Sequence, residues 1–354
     1  MHPSSHSASA LMKAAFITGH GGNEVVSIGQ RPRPVRQAGH VLVRLRAATL
    51  NRVDVYMRDS GSGITHQLPQ IMGLDGAGTV EEADAGEPLL TPGQPVVLHP
   101  AVGCGRCEFC QRGDVVLCVG IQYLGEHRDG TLAQWVSVPA QNVFPMPAHL
   151  DFAEAAALGV NHLTAWRMLF TKARLQPWET VLIFGIGGGV SLAALQLAKL
   201  AGAQTIVTSR NAGKLERARL LGADHLINSS TQDVAKEVMA RTQGRGVDVV
   251  IENVGAAVWS SAMKSLVRGG RLVTCGATTG DQPPADLRRI FIRQLQILGS
   301  TLGNFGEFRD LLTLAGRTGL RPVIDSEFPL DQTHAALSRL ESGEQFGKIA
   351  IRIE

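Results

Sequence analysis

The chain has 354 residues, of which 44% are hydrophobic and 18% are charged, and its formal net charge is +3. A chain of this length is expected to fold into two domains. The absence of a long basic run argues against nucleic acid as a partner, and no apolar run approaches the roughly 20 residues that span a bilayer. The N-terminal residues lack the regions of a secretory signal, so we expect a cytoplasmic protein without a membrane partner.

Residues 1–11 are rich in serine and histidine, and we expect them to form a disordered tail. From Met12 onward, short β-like runs such as "VLVRLRAATL" and "GTLAQWVSVPAQNVFPMP" alternate with turn residues. Many short strands with turn residues between them predict a partly open β-barrel.

Four of the five cysteines lie in one loop with the spacing C-x2-C-x2-C-x7-C, namely Cys104, Cys107, Cys110 and Cys118. In a reducing compartment such a cluster binds metal more often than it forms disulfides. Four thiolates placed about 2.3 Å from one zinc ion fill its coordination shell. The spacing therefore predicts one structural zinc ion in a lobe at about residues 100–120, with two disulfides or free thiols as the alternative.

The second half alternates apolar strands with helices, beginning with a strand at 180–184, a helix at about 190–201 and a strand at 204–208. This rhythm predicts a doubly wound parallel sheet covered on both faces. The first turn contains Gly185, Gly187, Gly188 and Gly189, followed by Val190. Backbone N–H groups and the positive end of a helix make such a turn the expected seat of a dinucleotide pyrophosphate.

The end of the second strand of this sheet indicates which coenzyme is used. It reads "VTSRNAGK" and contains Ser209, Arg210 and Lys214 but no carboxylate. NAD-binding sheets usually place an acidic residue there to bind the ribose hydroxyl, whereas a hydroxyl and two cations suit a phosphate. We therefore expect NADP(H) in preference to NAD(H).

After the sheet, the chain returns to short strands from "VIDSEFPL" to "FGKIAIRIE". The nucleotide-binding domain is therefore expected to be inserted into a catalytic domain built from both ends of the chain. The predicted boundaries are 12–157 and 302–354 for the catalytic domain, and 158–301 for the nucleotide-binding domain.

This order of segments, with "LRAATLNRVDVYMRDSG", "GLDGAGTV", "LGEHRDGTLAQWV" and "FGIGGGVSLAALQLAK", resembles the medium-chain dehydrogenase/reductase superfamily. The resemblance covers nearly the whole chain from Met12. It implies an α/β protein with a GroES-like barrel, a Rossmann domain, a small-molecule substrate, and a homodimer or homotetramer paired through the edge strand "QILGST".

Alcohol dehydrogenases of this superfamily carry a second, catalytic zinc ion bound by a Cys, a His and a third Cys, Asp or Glu. The matching positions here are Asn51, Leu74 and Val160, which form a poor ligand set for zinc. An unorthodox site made by Asp75, His162 and His66 is the alternative.

By the same resemblance, Asn51 of "NRVDVYMR" lies near the nicotinamide and donates its amide to a developing oxyanion. Asp54 holds the loop or the ribose, and Tyr56 is a candidate acid because a phenol stays protonated at neutral pH. Thr164, Asn253 and Gly276 are expected to line the cofactor.

Three functions are compatible with these residues. The favoured one is an NADPH-dependent reductase that delivers hydride to an alkene conjugated to a carbonyl, or to a quinone, without a catalytic zinc ion. The alternatives are a zinc-dependent alcohol dehydrogenase that interconverts alcohols with aldehydes or ketones, and an NADPH-binding protein that acts as a sensor or partner and has no catalytic activity.

Overall fold

The structure is a computed structural model that describes residues 10–84 and 90–354. Its strands are β1 Leu11–Ile17, β2 Val26–Pro32, β3 His40–Thr49, β4 Gln70–Ile71, β5 Asp75–Glu82, β6 Pro95–Leu98, β7 Ala101–Val102, β8 Gln122–Tyr123, β9 Trp135–Pro139, β10 Val143–Pro145, β11 Thr180–Ile183, β12 Gln204–Ser209, β13 His225–Asn228, β14 Val247–Glu252, β15 Leu266–Thr274, β16 Gln296–Gly299, β17 Ile324–Pro329 and β18 Lys348–Arg352.

The α-helices are α1 Arg52–Ser60, α2 Glu108–Gln111, α3 Phe152–Ala157, α4 Leu163–Trp166, α5 Gly189–Leu200, α6 Ala212–Leu220, α7 Val234–Arg241, α8 Ala256–Ser265, α9 Leu287–Arg293, α10 Phe305–Thr318 and α11 Thr333–Ser342. Two π-helical segments, Leu158–His162 and Arg167–Lys172, flank α4. Such π-helical turns are rare and often accompany functional sites.

The chain divides into two compact units. The first contains the residues up to Val160 together with Ile324–Glu344 and Lys348–Glu354, and the second contains Asn161–Val323 and Gln345–Gly347. The second unit therefore extends beyond the boundary at 301 that the sequence led us to expect. The reason is α10, which packs against α4 and whose Glu307 forms an ion pair with Arg167 at 2.8 Å.

The first unit is built from antiparallel strands. Its largest sheet has the order β10-β6-β5-β3-β18-β17, with β9 also paired to β3, and a smaller sheet has the order β2-β1-β4. Strand β3 pairs with β5, β9 and β18, and its register with β5 shifts between Leu45 and Ala47. Such bulges bend a strand and help a sheet to curve around a core. The core is formed by alternate residues of β3, including Val41, Val43 and Leu45.

The second unit holds a parallel six-stranded sheet with the order β13-β12-β11-β14-β15-β16. Strands β11 and β14 lie in its middle and are buried along their whole length, as a sheet covered on both faces requires. Strand β16 forms one edge of this sheet, where the predicted pairing of two subunits would occur.

The C-terminal end of the predicted tail, residues 1–11, differs from the structure. Residues 1–9 lie outside the described part of the chain, but Leu11 already begins β1 and pairs with Pro32. The ladder between β1 and β2 begins at Leu11, so the first strand starts one residue before Met12.

Candidate active site

A cluster of buried polar side chains lies where four segments of the first unit meet. Thr49 ends β3, Asn51 precedes α1, Asp75 begins β5 and Lys348 begins β18. Asp75 Oδ2 accepts hydrogen bonds from Thr49 Oγ1 at 2.6 Å, from Asn51 Nδ2 at 2.9 Å and from Lys348 Nζ at 3.0 Å. Lys348 Nζ also donates to Asn51 Oδ1 at 2.6 Å. The cluster is thus a fixed ammonium held between a carboxylate and an amide.

Lys348 is the member of this cluster that the sequence reasoning missed. Its side chain is only 4% exposed. A lysine ammonium has three donors, and the contacts to Asn51 and Asp75 use two of them. In the part of the chain that the structure describes, no partner is recorded for the third. The signal in the sequence was a single lysine at the start of the apolar run "KIAI", because a buried lysine needs a built partner.

Asn51 makes hydrogen bonds to three members of the cluster. Its amide nitrogen donates to Asp75 and, at 3.5 Å, to the backbone oxygen of Thr49, while its oxygen accepts from Lys348. These contacts hold the amide between the two charged groups of the cluster. The expected donation of this amide to a substrate oxyanion stays a prediction.

Asp54 and Tyr56 lie on α1 but face different surroundings. Asp54 is buried, and its carboxylate accepts the backbone N–H of Asn51 at 2.6 Å, which holds the start of the helix. Burial raises the pKa of Asp54 to about 7, against the lowering effect of the Asn51 N–H and of the Lys348 charge. The phenol of Tyr56 is 36% exposed, so a role as an acid would have to be played from the surface of α1.

Glu126 is a second residue that the sequence reasoning did not select. It follows β8, and its residue surface is only 7% exposed. Burial, together with the nearby charge of Asp54, raises the pKa of Glu126 to about 7. Carboxyl groups with a strongly raised pKa in a buried site are candidates for proton transfer.

The residues present do not fit a catalytic zinc ion. Leu74 is buried and has no ligand atom, and Asn51 is already bonded to Asp75 and Lys348. Asp75 Oδ1 is buried without a hydrogen-bond partner, yet the ammonium of Lys348 on the same carboxylate repels a second cation. Val160, at the third ligand position, likewise offers no ligand atom.

The residues of the alternative ligand set belong to different units and each has a protein partner. In the first unit, His66 Nδ1 lies 3.4 Å from His20 Nε2 and Asp75 is engaged by Lys348, and in the second unit, His162 Nε2 lies 3.1 Å from Gln196 Oε1. Within residues 10–84 and 90–354, the four-cysteine group is the one cluster of three or more potential ligands that meets the distance requirement for a metal.

The four cysteines converge as their spacing predicts. The ligand sulfur atoms of Cys104, Cys107, Cys110 and Cys118 all lie within 4.8 Å of one another. Sulfur atoms on a tetrahedral zinc ion are separated by about 3.8 Å, given a zinc–sulfur bond of about 2.3 Å. The backbone N–H of Cys104 donates to the sulfur of Cys118 at 3.2 Å. The lobe therefore fits a structural zinc ion, and all five cysteines of the chain are free of disulfides.

In the second unit, the glycine turn follows β11 and leads directly into α5. Gly185 and Gly187 adopt positive φ angles of 68° and 112°. A Cβ at Gly187 would lie 2.8 Å from Cδ of Lys214, so glycine lets the lysine stem cross the turn. Gly188 caps α5, whose first residues are Gly189 and Val190, so the free N–H groups of the helix point toward this turn.

Ser191, two residues after the last glycine, helps to hold the turn. Its hydroxyl donates to the backbone oxygen of Phe184 at 2.7 Å and accepts from Asn253 Nδ2 at 3.1 Å. Asn253 thus supports the turn through Ser191. Gly276 packs on the backbone of Asn253, where a Cβ would lie 2.9 Å from the Asn253 oxygen, and Thr164 is buried in α4.

The predicted phosphate-binding residues lie at the end of β12 and the start of α6. Ser209 is buried and its hydroxyl accepts the backbone N–H of Asn211 at 3.1 Å. Arg210 is exposed, and the described residues supply no recorded ion pair for it. Lys214 lies along Gly187. An exposed guanidinium and an ammonium therefore lie next to the glycine turn.

A family model described as "Alcohol dehydrogenase GroES-like domain" matches residues 37–148, and one described as "Zinc-binding dehydrogenase" matches residues 189–317. The "NAD-dependent alcohol dehydrogenase" of Sulfurisphaera tokodaii is 31% identical over 327 residues, which cover 90% of this chain and 93% of that protein. The chain belongs to the medium-chain dehydrogenase/reductase superfamily.

Two further similar proteins carry the names of two different activities. A crystal structure of an "NAD-dependent alcohol dehydrogenase" matches with a TM-score of 0.93 and 38% identity, and the match covers 97% of this chain and 100% of that one. The "Quinone oxidoreductase" of Rattus norvegicus is 29% identical, over 96% of this chain and 98% of that protein.

Superfamily membership confirms the predicted fold class, a GroES-like barrel with a Rossmann domain, and identifies the chain as an NAD(P)-dependent oxidoreductase. It favours an enzyme over the non-catalytic NADPH-binding protein. Among the described helices, none has both the length and the apolar character that crossing a bilayer demands.

Proposed function

We propose that this enzyme reduces an activated alkene, in which the double bond is conjugated to a carbonyl, or a quinone, with NADPH as hydride donor and without a catalytic metal. The observation that carries the proposal is the buried ammonium of Lys348, held by Asn51 and Asp75 where a catalytic zinc ion would need ligands. The resemblance to a quinone oxidoreductase supports the same class of substrate.

The class of substrate follows from how strongly the Lys348 ammonium can stabilise a negative charge. A metal ion lowers the pKa of a bound alcohol by acting as a Lewis acid, whereas an ammonium offers a hydrogen bond and a single charge. That is sufficient for a substrate whose own carbonyl accepts the electron pair as an enolate. The remaining donor of Lys348 would bind this oxygen, and the buried setting strengthens the interaction as charge develops.

Asn51 and Asp75 act through Lys348 in this account. Asp75 forms an ion pair with the lysine at 3.0 Å, and Asn51 fixes the direction of its N–H groups through the 2.6 Å contact to Nζ. Thr49 in turn orients the carboxylate of Asp75. A fixed arrangement of this kind avoids the reorganisation that water would require during the reaction.

The preference for NADPH is a separate part of the proposal. Relatives of this chain are named NAD-dependent, but the end of β12 here carries Ser209 and Arg210 in place of an acidic residue. An exposed guanidinium at this point can bind a phosphate in a bidentate manner, and Lys214 adds a second charge.

The cysteine lobe would hold one zinc ion through Cys104, Cys107, Cys110 and Cys118. A shell of four thiolates leaves no position for water or substrate, so this ion would supply structural stability and no chemistry.

A zinc-dependent alcohol dehydrogenase remains the second candidate, because several relatives of this chain are named alcohol dehydrogenases. NADPH and NADH oxidation with a panel of enones, quinones and simple aldehydes, and NADP⁺ and NAD⁺ reduction with saturated alcohols, separate the two. We expect turnover of enones or quinones that persists after treatment with a chelator. Robust oxidation of saturated alcohols that the chelator abolishes would refute the proposed function.

A further inference from the structure

Two histidines of the first unit face each other next to the C-terminal end of α1. His20 lies between β1 and β2, and His66 follows α1. His66 Nδ1 is 3.4 Å from His20 Nε2, and the ring centroids are 5.1 Å apart with an angle of 46° between the ring planes. This separation exceeds the roughly 2.7–3.2 Å of an ordinary N–H hydrogen bond. Two nitrogen ligands placed about 2.05 Å from one tetrahedral ion are about 3.4 Å apart, so the pair has the spacing of two ligands on one metal ion.

The other ring nitrogen of His20 is held by the backbone of α1. His20 Nδ1 lies 3.1 Å from the backbone oxygen of Met57 and 3.3 Å from that of Arg58. Because a carbonyl oxygen can only accept, Nδ1 carries the hydrogen of the neutral ring, and Nε2 faces His66 with its lone pair. Histidines that bind metal usually have this arrangement, in which the second ring nitrogen donates to a carbonyl or a carboxylate.

The ring of His66 presents its Nδ1 atom to the same point. Its Nε2 atom is buried, and the described part of the chain supplies no recorded hydrogen-bond partner for that atom. Burial, together with the nearby charges of His20 and His127, lowers the pKa of His66, against the raising effect of the Glu126 backbone. The ring is therefore neutral near pH 7, which is the form of histidine that binds metal.

Gly61 leaves space beside the two facing nitrogens. It ends α1 with a φ of 72°, and a Cβ at this position would lie 3.3 Å from both His20 Nε2 and His66 Nδ1. His20 is exposed and His66 is half-buried, so an ion with its bound water can reach the pair from solvent. Within the described ranges, no third Cys, His, Asp or Glu brings a ligand atom close enough to join the pair. Water would therefore complete the coordination shell.

We propose that His20 and His66 form a second, exchangeable site for a divalent transition-metal ion such as Zn²⁺, bound through His20 Nε2 and His66 Nδ1. Imidazole nitrogen suits Zn²⁺, whereas Mg²⁺ and Ca²⁺ require oxygen ligands. The ion would join the segment after β1 to the segment after α1. With two protein ligands it is held less firmly than the ion of the four-cysteine lobe, so a mild chelator removes it first. The site shares no residue with the Lys348 cluster and does not depend on the proposed function.

Calorimetric titration with Zn²⁺ tests this site in full-length enzyme whose cysteine lobe is already loaded with zinc. We expect wild type to bind one further Zn²⁺ ion per chain, and H20Q and H66Q each to lose this binding, because glutamine is a poor ligand for zinc. The H20Q/H66Q double variant should lose no more than either single variant, since the two nitrogens hold one ion. A wild type that binds no further ion, or a further ion that H66Q still binds with unchanged affinity, would overturn the proposal.

The matched control is H225Q. His225 is also half-buried, but it lies in β13 of the second unit, and its Nε2 lies 3.3 Å from Gln204 Nε2. H225Q should bind the further ion as wild type does. If H225Q lost the ion to the same extent as H66Q, the binding would not belong to the pair and the proposal would fail.

The melting temperature provides a second readout without substrate. An ion that binds the folded chain stabilises it by mass action, so Zn²⁺ at about ten times its Kd should raise the melting temperature of wild type by about 2 °C. The melting temperature of H66Q should not respond to the same Zn²⁺ concentration. An equal rise in wild type and H66Q would place the ion elsewhere and overturn the proposal. Neither readout uses NADPH or a substrate, so failure of the proposed function would leave this test unaffected.

Discussion

Lys348 Nζ lies 3.0 Å from Asp75 Oδ2, and both side chains are almost completely buried. The pair joins the first residue of β18 to the first residue of β5, which are 273 positions apart in the chain. A buried ion pair is stable only when further hydrogen bonds satisfy both partners, and here Thr49 and Asn51 supply them. The pair therefore connects β5 with β18 and also supplies the charged groups of the proposed active site.

Replacement of Lys348 by methionine should remove the cationic donor while preserving the length of the side chain. Loss of one such donor typically lowers kcat by about 100-fold or more. The variant also leaves Asp75 buried without its partner, at a cost of about 3–5 kcal/mol in stability. Steady-state kcat and thermal unfolding measured on the same preparation check both effects.

The control for this variant is Lys13→Met. Lys13 forms an ion pair with Asp331 at 2.5 Å, but both side chains are at least 40% exposed. Exposed pairs contribute at most about 1 kcal/mol, so this variant should keep kcat and lose little stability. Equal kcat values for K348M and wild type would show that Lys348 has no part in catalysis.

The buried Glu126 should make the stability of the protein depend on pH in a definite direction. Its pKa is raised from 4.5 to about 7, so the folded state binds the proton more tightly than the unfolded state does. The stabilisation is fully present below about pH 4.5 and is lost as the pH rises through 7, with a total on the order of 2 kcal/mol. The melting temperature of wild type relative to E126Q should therefore fall by several degrees between pH 5 and pH 8. A constant difference would contradict the raised pKa.

Arg210 should govern the choice of coenzyme. Its replacement by alanine removes the bidentate contact to a 2′-phosphate, so kcat/KM for NADPH should fall by about 10- to 100-fold, while that for NADH changes little. Arg219→Ala is the control, because Arg219 lies on α6, the helix that follows Arg210, and forms an exposed ion pair with Glu216 at 2.6 Å. Equal losses with both coenzymes would argue against a phosphate site at Arg210.

The cysteine lobe should affect stability without affecting the chemical step. Cys107→Ser should reduce the bound zinc from about one ion per chain to less than one and lower the melting temperature, because a structural zinc ion contributes directly to folding. Cys275→Ser, outside the cluster, should leave the zinc content unchanged. Elemental analysis of both variants checks this, and full zinc content in C107S would exclude the lobe as the metal site.

The parts of this molecule that the sequence predicts are those encoded by local spacing. The four cysteines and the glycines at 185–189 lie within short segments, so their convergence follows from chain geometry alone. The six parallel strands followed from their continuous apolar runs. The start of the fold was misplaced by one residue because it depends on the pairing of Leu11 with Pro32, which lies 21 positions further along the chain.

The contacts that define the active-site cluster were not predictable in the same way. Lys348 meets Asn51 across 297 residues, and no local pattern reports such a contact. Glu126 lies in a polar segment, "GEHRDG", which looks solvent-exposed in the sequence although the fold buries this glutamate. The role expected of Asn51 was drawn from its segment, while its actual hydrogen bonds depend on β5 and β18.

The most direct test of a metal-free site is the zinc content of enzyme that is actively reducing an enone with NADPH. Our account predicts about one zinc ion per chain, lost only with the cysteine lobe, and the same kcat after any loosely bound metal has been removed. Two zinc ions per chain, with activity that disappears and returns together with the second ion, would contradict it.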